Sequence, residues 1–126
     1  MQLTRESAEA NVIHAWESGR MRVGNRWLTG HVIVAPDRIV PDWDVGDASR
    51  IAYEHLAPAI DLDPEIILLG TGAEAAVPDV GLIASLAKLS IGLEIMTTPA
   101  ACRTYNVLVS EQRRVVAALL NPAATG

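Results

Sequence analysis

Apolar and polar positions alternate over the first third of the chain, and further on they gather into longer blocks. Residues 12–16 are a short apolar-rich run. Gly19-Arg20 reads as a turn, and residues 21–23 continue extended. Gly24-Asn25 is a second turn signal. Residues 27–34 are rich in β-branched and aromatic side chains and predict one long strand. Residues 36–38 form a turn, and Ile39-Val40 begins another strand that Pro41 places at a sheet edge.

Beyond this β-rich portion, helix and strand alternate. Asp47 is expected to cap a helix from 48 to about 56. Ala48, Ile51, Ala52, His55 and Ala59 fall on one face of it, and Pro58 is expected to stop it. Asp63-Pro64 is a turn. Ile66-Ile67-Leu68-Leu69 is continuous and apolar, the pattern of a central strand covered on both faces. Pro78-Asp79 opens a second helix to about residue 89, with Leu82, Ile83, Leu86 and Leu89 as its stripe. Residues 92–97 predict a strand. Thr98-Pro99 predicts a third helix to about residue 112, with Thr98 as its cap. Residues 114–120 predict a last buried strand, against the helix propensity of Ala117 and Ala118. Such alternation implies an α/β fold with a largely parallel core sheet and helices on both faces. A single domain is expected over residues 1–120, with residues 121–126 as a frayed tail.

Composition narrows the function classes. A chain of 126 residues, 50% hydrophobic and 20% charged, is an ordinary globular domain. Its net charge of -5 disfavours a role that holds nucleic acid through phosphates. Phenylalanine is absent, so the core must be built from Leu, Ile, Val, Ala and the three tryptophans. Cys102 is the only cysteine and forms no internal disulfide. His14, His31 and His55 are scattered, with no metal-ligand spacing, so neither metal nor cofactor is expected. The longest aliphatic run, residues 115–120, is far shorter than the roughly 20 residues of a membrane span. The first residues lack a secretory apolar stretch and carry Glu6 and Glu9, so a cytoplasmic location is expected. The second helix carries one cation, Lys88, after Asp79. It is expected to be buried almost all round, the alternative being a face covered by a second copy in a homodimer.

Gly70-Thr71-Gly72-Ala73-Glu74-Ala75 after a predicted strand matches a dinucleotide-binding spacing, with Glu94 about twenty residues on. Pro78 delays the following helix, and Glu94 falls mid-strand, so a glycine-containing loop at a strand end is the expected reading.

Three blocks carry a family resemblance. The first is Ile66-Ile67-Leu68-Leu69-Gly70-Thr71-Gly72 followed by Pro78. The second runs from Gly92 through Thr97-Thr98-Pro99-Ala100-Ala101-Cys102-Arg103-Thr104-Tyr105-Asn106 to Leu108. The third covers residues 111–120. Together they resemble a small α/β family of largely unknown function. It includes bacterial and archaeal hypothetical proteins, an adipogenesis-associated animal protein and a mitochondrial assembly factor for respiratory complex I. The resemblance implies a three-layer fold with a central mixed sheet. It implies no catalytic activity, and it points to action through protein partners.

Ligands of open α/β sheets bind beyond the carboxyl ends of the strands. Two such ends are Gly70-Thr71-Gly72 and Thr97-Thr98. If their strands are neighbours, they line one crevice with the start of the third helix, where Cys102, Arg103, Tyr105 and Asn106 follow. These nine residues are the candidate site. Each also has a structural reading. Thr98 would cap the helix, Cys102 would be a small buried hydrophobe, Tyr105 would pack on the sheet and Asn106 would bond a loop. His55 is expected to be half-buried with one backbone partner, His31 to face solvent and Trp43 to join the core. Asp42, Asp44 and Asp47 read as turn residues and a cap. With no base–nucleophile pair in evidence, the expectation is a non-catalytic protein-binding domain assisting assembly of a respiratory or other membrane complex. The alternative is a small-ligand or anion-binding protein, or an enzyme, using the crevice.

Overall fold

In the computed structural model, which describes residues 9–122, the chain builds two sheets. Ile13–Glu17 (β1), Arg20–Val23 (β2) and Arg26–Thr29 (β3) form an antiparallel meander closed by the two expected turns. Its alternation puts Ile13, Met21, Val23 and Leu28 on a buried side. On the outer side the Arg20 guanidinium lies 4.0 Å from the centre of the Trp27 ring.

The second sheet comprises Val32–Ala35 (β4), Arg38–Val40 (β5), Ile66–Gly70 (β6), Gly92–Met96 (β7) and Val115–Leu119 (β8), in the order β5-β4-β8-β6-β7. β6 runs parallel to β7 and β8, while β4 pairs antiparallel with β5 and β8. The expected mixed sheet is therefore present, with β5 on an edge as Pro41 implied.

Side-chain alternation splits the core into two halves. On one face Ile33, Ile67, Leu69, Val116 and Ala118 pack under the 48–60 segment and under Gly81–Ala87 (α2), through Ile51, Leu56, Ala59, Leu82 and Leu86. On the other, Val34, Leu68, Val115, Ala117 and Leu119 pack under the meander and Thr98–Ser110 (α3), through Ala101, Cys102 and Tyr105. The result is three layers with helices on both faces, the α3 face being shared with the meander.

Several boundaries differ from the sequence reading. The expected strand over 27–34 is two strands. Gly30 takes a left-handed φ of 76° and donates its N–H to Gly19 O, and the chain turns from one sheet into the other there. The expected helix over 48–56 is two 3-10 turns, Ala48–Arg50 and Tyr53–Leu56, followed by the short helix Ala57–Ile60 (α1). Asp47 caps the first turn as expected, accepting from Ser49 N–H at 3.1 Å. His55 Nδ1 accepts from Ala52 N–H at 2.8 Å, its expected backbone partner. Pro58 does not end a helix. It lies in the first turn of α1, where its missing N–H costs nothing.

α2 begins at Gly81, whose N–H is held by Asp79, and not at Pro78. It is not buried all round: Val80 is 73% exposed, Ile83 48% and Leu89 47%. The cap of α3 is Thr97, not Thr98, and Pro99 sits in the first turn. Trp43 is buried as expected and donates to His55 O at 2.9 Å.

Asn121, expected in the tail, is buried and is a junction. Its Oδ1 accepts from Trp16 Nε1 and Gly19 N–H, both at 3.1 Å, and its Nδ2 donates to Glu17 O at 3.2 Å. Its own N–H donates to His31 Nδ1 at 2.8 Å, so His31 is tied into the fold and does not simply face solvent. Residues 123–126 of the expected tail lie outside the described residues.

A Cβ at Gly70 would lie 2.8 Å from Thr98 Oγ1 and 3.0 Å from Thr98 Cα, so backbone must move. Gly70→Ala is expected to lower stability by about 2 kcal/mol in urea unfolding; an unchanged midpoint would refute the close approach. Burial lowers the pKa of His31 below its ordinary 6.5, and the Asn121 bond requires a bare Nδ1. Below 6.5 the unfolded chain therefore binds more protons at this ring than the folded one. Stability is expected to fall as pH drops through that value, and His31→Asn should flatten the slope seen in denaturant midpoints.

Candidate functional site

β6 and β7 are parallel neighbours, so their carboxyl ends lie side by side, as the crevice required. What lies between them is Thr98. Its N–H donates to Gly72 O and its Oγ1 accepts from Gly72 N–H, both at 2.8 Å, and that hydroxyl donates to Leu120 O at 2.6 Å. Gly72 needs its φ of 100° to present both groups. Thr71 turns its hydroxyl onto Glu74 O at 2.9 Å. Gly70, Thr71, Gly72 and Thr98 are all buried, and their polar groups answer one another. The loop and the start of α3 thus close on each other. Ten residues separate β6 from the start of α2 (71–80), and Glu94 lies in the middle of β7, neither being the dinucleotide arrangement.

The open space lies one turn further along α3. Cys102, Arg103 and Asn106 line a groove of about 260 Å³ with Ile13, His14 and Trp16 of β1. His14 is the extra residue of a β-bulge, since Ile13 pairs with Val23 and Ala15 already with Arg22. His14 and Arg103 are exposed at the rim. Cys102 is buried, and burial pushes its thiol up to about 12 against the opposing charge of Arg103. At neutral pH it is a protonated, weakly polar wall of the groove. Asn106 clamps β1, accepting from Ile13 N–H at 2.9 Å and donating to Ile13 O at 2.8 Å. Tyr105 shares a face of α3 with Cys102 but not the groove. It is fully buried, its hydroxyl donates to Asn11 O at 2.9 Å, and burial raises its pKa. Thr97 stays at the helix cap.

On the other side of the glycine loop, Thr71 borders a cavity of about 210 Å³ with His31, Val45, Gly46 and Leu120. No local sequence pattern marks His31 or Asn121 as a site residue beside this cavity, apart from the Asn-Pro pair directly after a predicted strand, the available signal for Asn121.

This arrangement has solved counterparts. A crystal structure of a Bordetella parapertussis protein superimposes with a TM-score of 0.84 at 34% identity, over 91% of this chain and 98% of that one. Among curated proteins, the zebrafish NADH dehydrogenase [ubiquinone] 1 alpha subcomplex assembly factor 3 is 33% identical over 124 residues, 97% of this chain and 71% of its own. The human protein of that name is 34% identical over 123 residues, 95% of this chain and 66% of its own. The chain thus spans about two thirds of these relatives. Residues 13–120 match a family described as "Protein of unknown function (DUF498/DUF598)". Carrying these residues on this sheet order, the chain belongs to the DUF498/DUF598 family, of which the assembly factors are relatives.

Proposed function

We propose that this chain is a non-catalytic protein-binding domain that assists assembly of a respiratory or other membrane complex, working from the cytoplasm. The observation that carries the reading is the likeness, over 97% of the chain, to a protein named as an assembly factor. The uncovered side of α2 supports it. Val80, Ile83, Ala84 and Ala87 recur at helical spacing on the solvent side, and Val77 precedes them at 77% exposure. Apolar surface gathered in this way is the usual mark of an interaction site. Among the described residues no helix is long and apolar enough to cross a membrane. The test is recovery of respiratory-complex subunits with the tagged chain from its native host. Val80→Asp with Ile83→Asp should cut that recovery about ten-fold, while stability changes by no more than about 0.5 kcal/mol. Recovery of the chain alone would overturn the reading.

The groove favours a second reading, an anion site. It is lined by Arg103, His14 and Trp16 together, and among the described residues no acid lines it. A carboxylate with a short apolar body would place its charge on Arg103 and its body on Trp16. Titration with benzoate should move the backbone signals of His14 and Arg103 saturably, and Arg103→Ala should abolish the effect without loss of fold. Shifts that never saturate would exclude this site.

A further inference from the structure

Among the described residues β7 is the terminal strand of the central sheet, bonded to β6 alone. Gly92 N–H donates to Glu65 O at 3.0 Å, and Met96 O accepts from Thr71 N–H at 2.9 Å. In this parallel register Gly92, Glu94 and Met96 therefore turn their peptide groups inward to β6, and Leu93 and Ile95 turn theirs to the open edge. Among the described residues no hydrogen bond reaches those outward groups. Proteins commonly protect such an edge with proline, a bulge, a covering loop or a charged side chain; the sequence of β7, Gly92-Leu93-Glu94-Ile95-Met96, contains no proline, and Glu94 is its single charge.

The surroundings of the edge restrict what can pair with it. The side chains of Leu93 and Ile95 lie on the α2 face, where Leu93 belongs to the same core as Ile67, Leu82 and Leu86. α2 packs against β7, and its solvent side is apolar. Glu94 points to the opposite face, which α3 covers over β6 and β8 far more than over β7, and its side chain is exposed. A second copy is disfavoured. The antiparallel register that pairs the whole of β7 with itself sets Glu94 directly opposite Glu94, and like charges so placed destabilise a strand pair. The net charge of -5 adds to that repulsion.

We infer that β7 accepts an added strand from a partner protein, an extended segment with a lysine or arginine opposite Glu94 and apolar residues turned toward α2. This inference rests on the protein-binding reading and names the chemistry of its partner. Main-chain bonds to Leu93 and Ile95 would hold the segment, and Glu94 would select its charge.

The probes are two short peptides of alternating valine and threonine, one with lysine at its centre and one with glutamate. Added to isotope-labelled protein, the lysine peptide should shift the amides of Leu93 and Ile95 and slow their exchange. It should bind about three-fold more tightly than the glutamate peptide, and Glu94→Lys should reverse that order. Ile95→Pro removes one outward N–H and no bond to β6, so it should abolish binding in a folded protein. If that variant unfolds, the charge reversal at Glu94 decides alone. The inference is overturned by peptides that leave Leu93 and Ile95 unmoved or bind equally well, or by self-association of the wild-type chain that protects those two amides. Recovery from the host separates the two levels. If the wild-type chain recovers complex subunits and Glu94→Lys recovers them equally, the edge is wrong and the assembly reading stands. If the wild-type chain recovers none, the assembly reading fails, and the peptide order alone tests the edge.

Discussion

Val115–Leu119 is buried at every residue because β8 has β4 on one side, β6 on the other and a layer over each face. A strand in that position exposes nothing, so its two faces must be covered by different parts of the chain. Much of the remaining fold follows from that need. The 48–60 segment and α2 cover Val116 and Ala118, while α3 and the meander cover Val115, Ala117 and Leu119. Ala117 and Ala118 are favourable helix residues held in a strand. The two pairings and the double cover outweigh their preference.

The meander buries only one side, in the core that it shares with α3. It is fastened at both ends by asparagines from the rest of the chain. Asn106 takes the N–H and the carbonyl of Ile13, much as a neighbouring strand would. Asn121 takes groups from Trp16, Glu17 and Gly19. An amide side chain suits both tasks because it carries a donor and an acceptor together. The groove between β1 and α3 is what remains between these fastenings, and the bulge at His14 gives it one wall.

The two halves of the molecule differ in how completely they are closed. Around Gly70, Gly72 and Thr98, the polar groups at the ends of the central strands answer one another, and a substituent as small as a methyl group has no room. Around α2 and β7, apolar side chains and peptide groups face outward. The first region has the character of a structural joint.

The apolar runs at 66–69 and 115–120, the turn residues of the first third and the Thr-Pro start of α3 determined the fold class and nearly every strand, because period and turn chemistry are local properties. The same local signals placed Cys102, Arg103 and Asn106 on one helix near a strand end. They also led to one long strand over 27–34, since nothing local to Trp27 or Val34 shows that the chain changes sheets at Gly30. Only the tertiary structure decided that Thr98 fills the expected crevice and that Asn106 reaches Ile13. It alone brought Asn121 to Trp16 and left β7 at the sheet's edge. Each of these joins groups far apart in the chain, and pairing across such a distance depends on the sheet order, which no local pattern encodes.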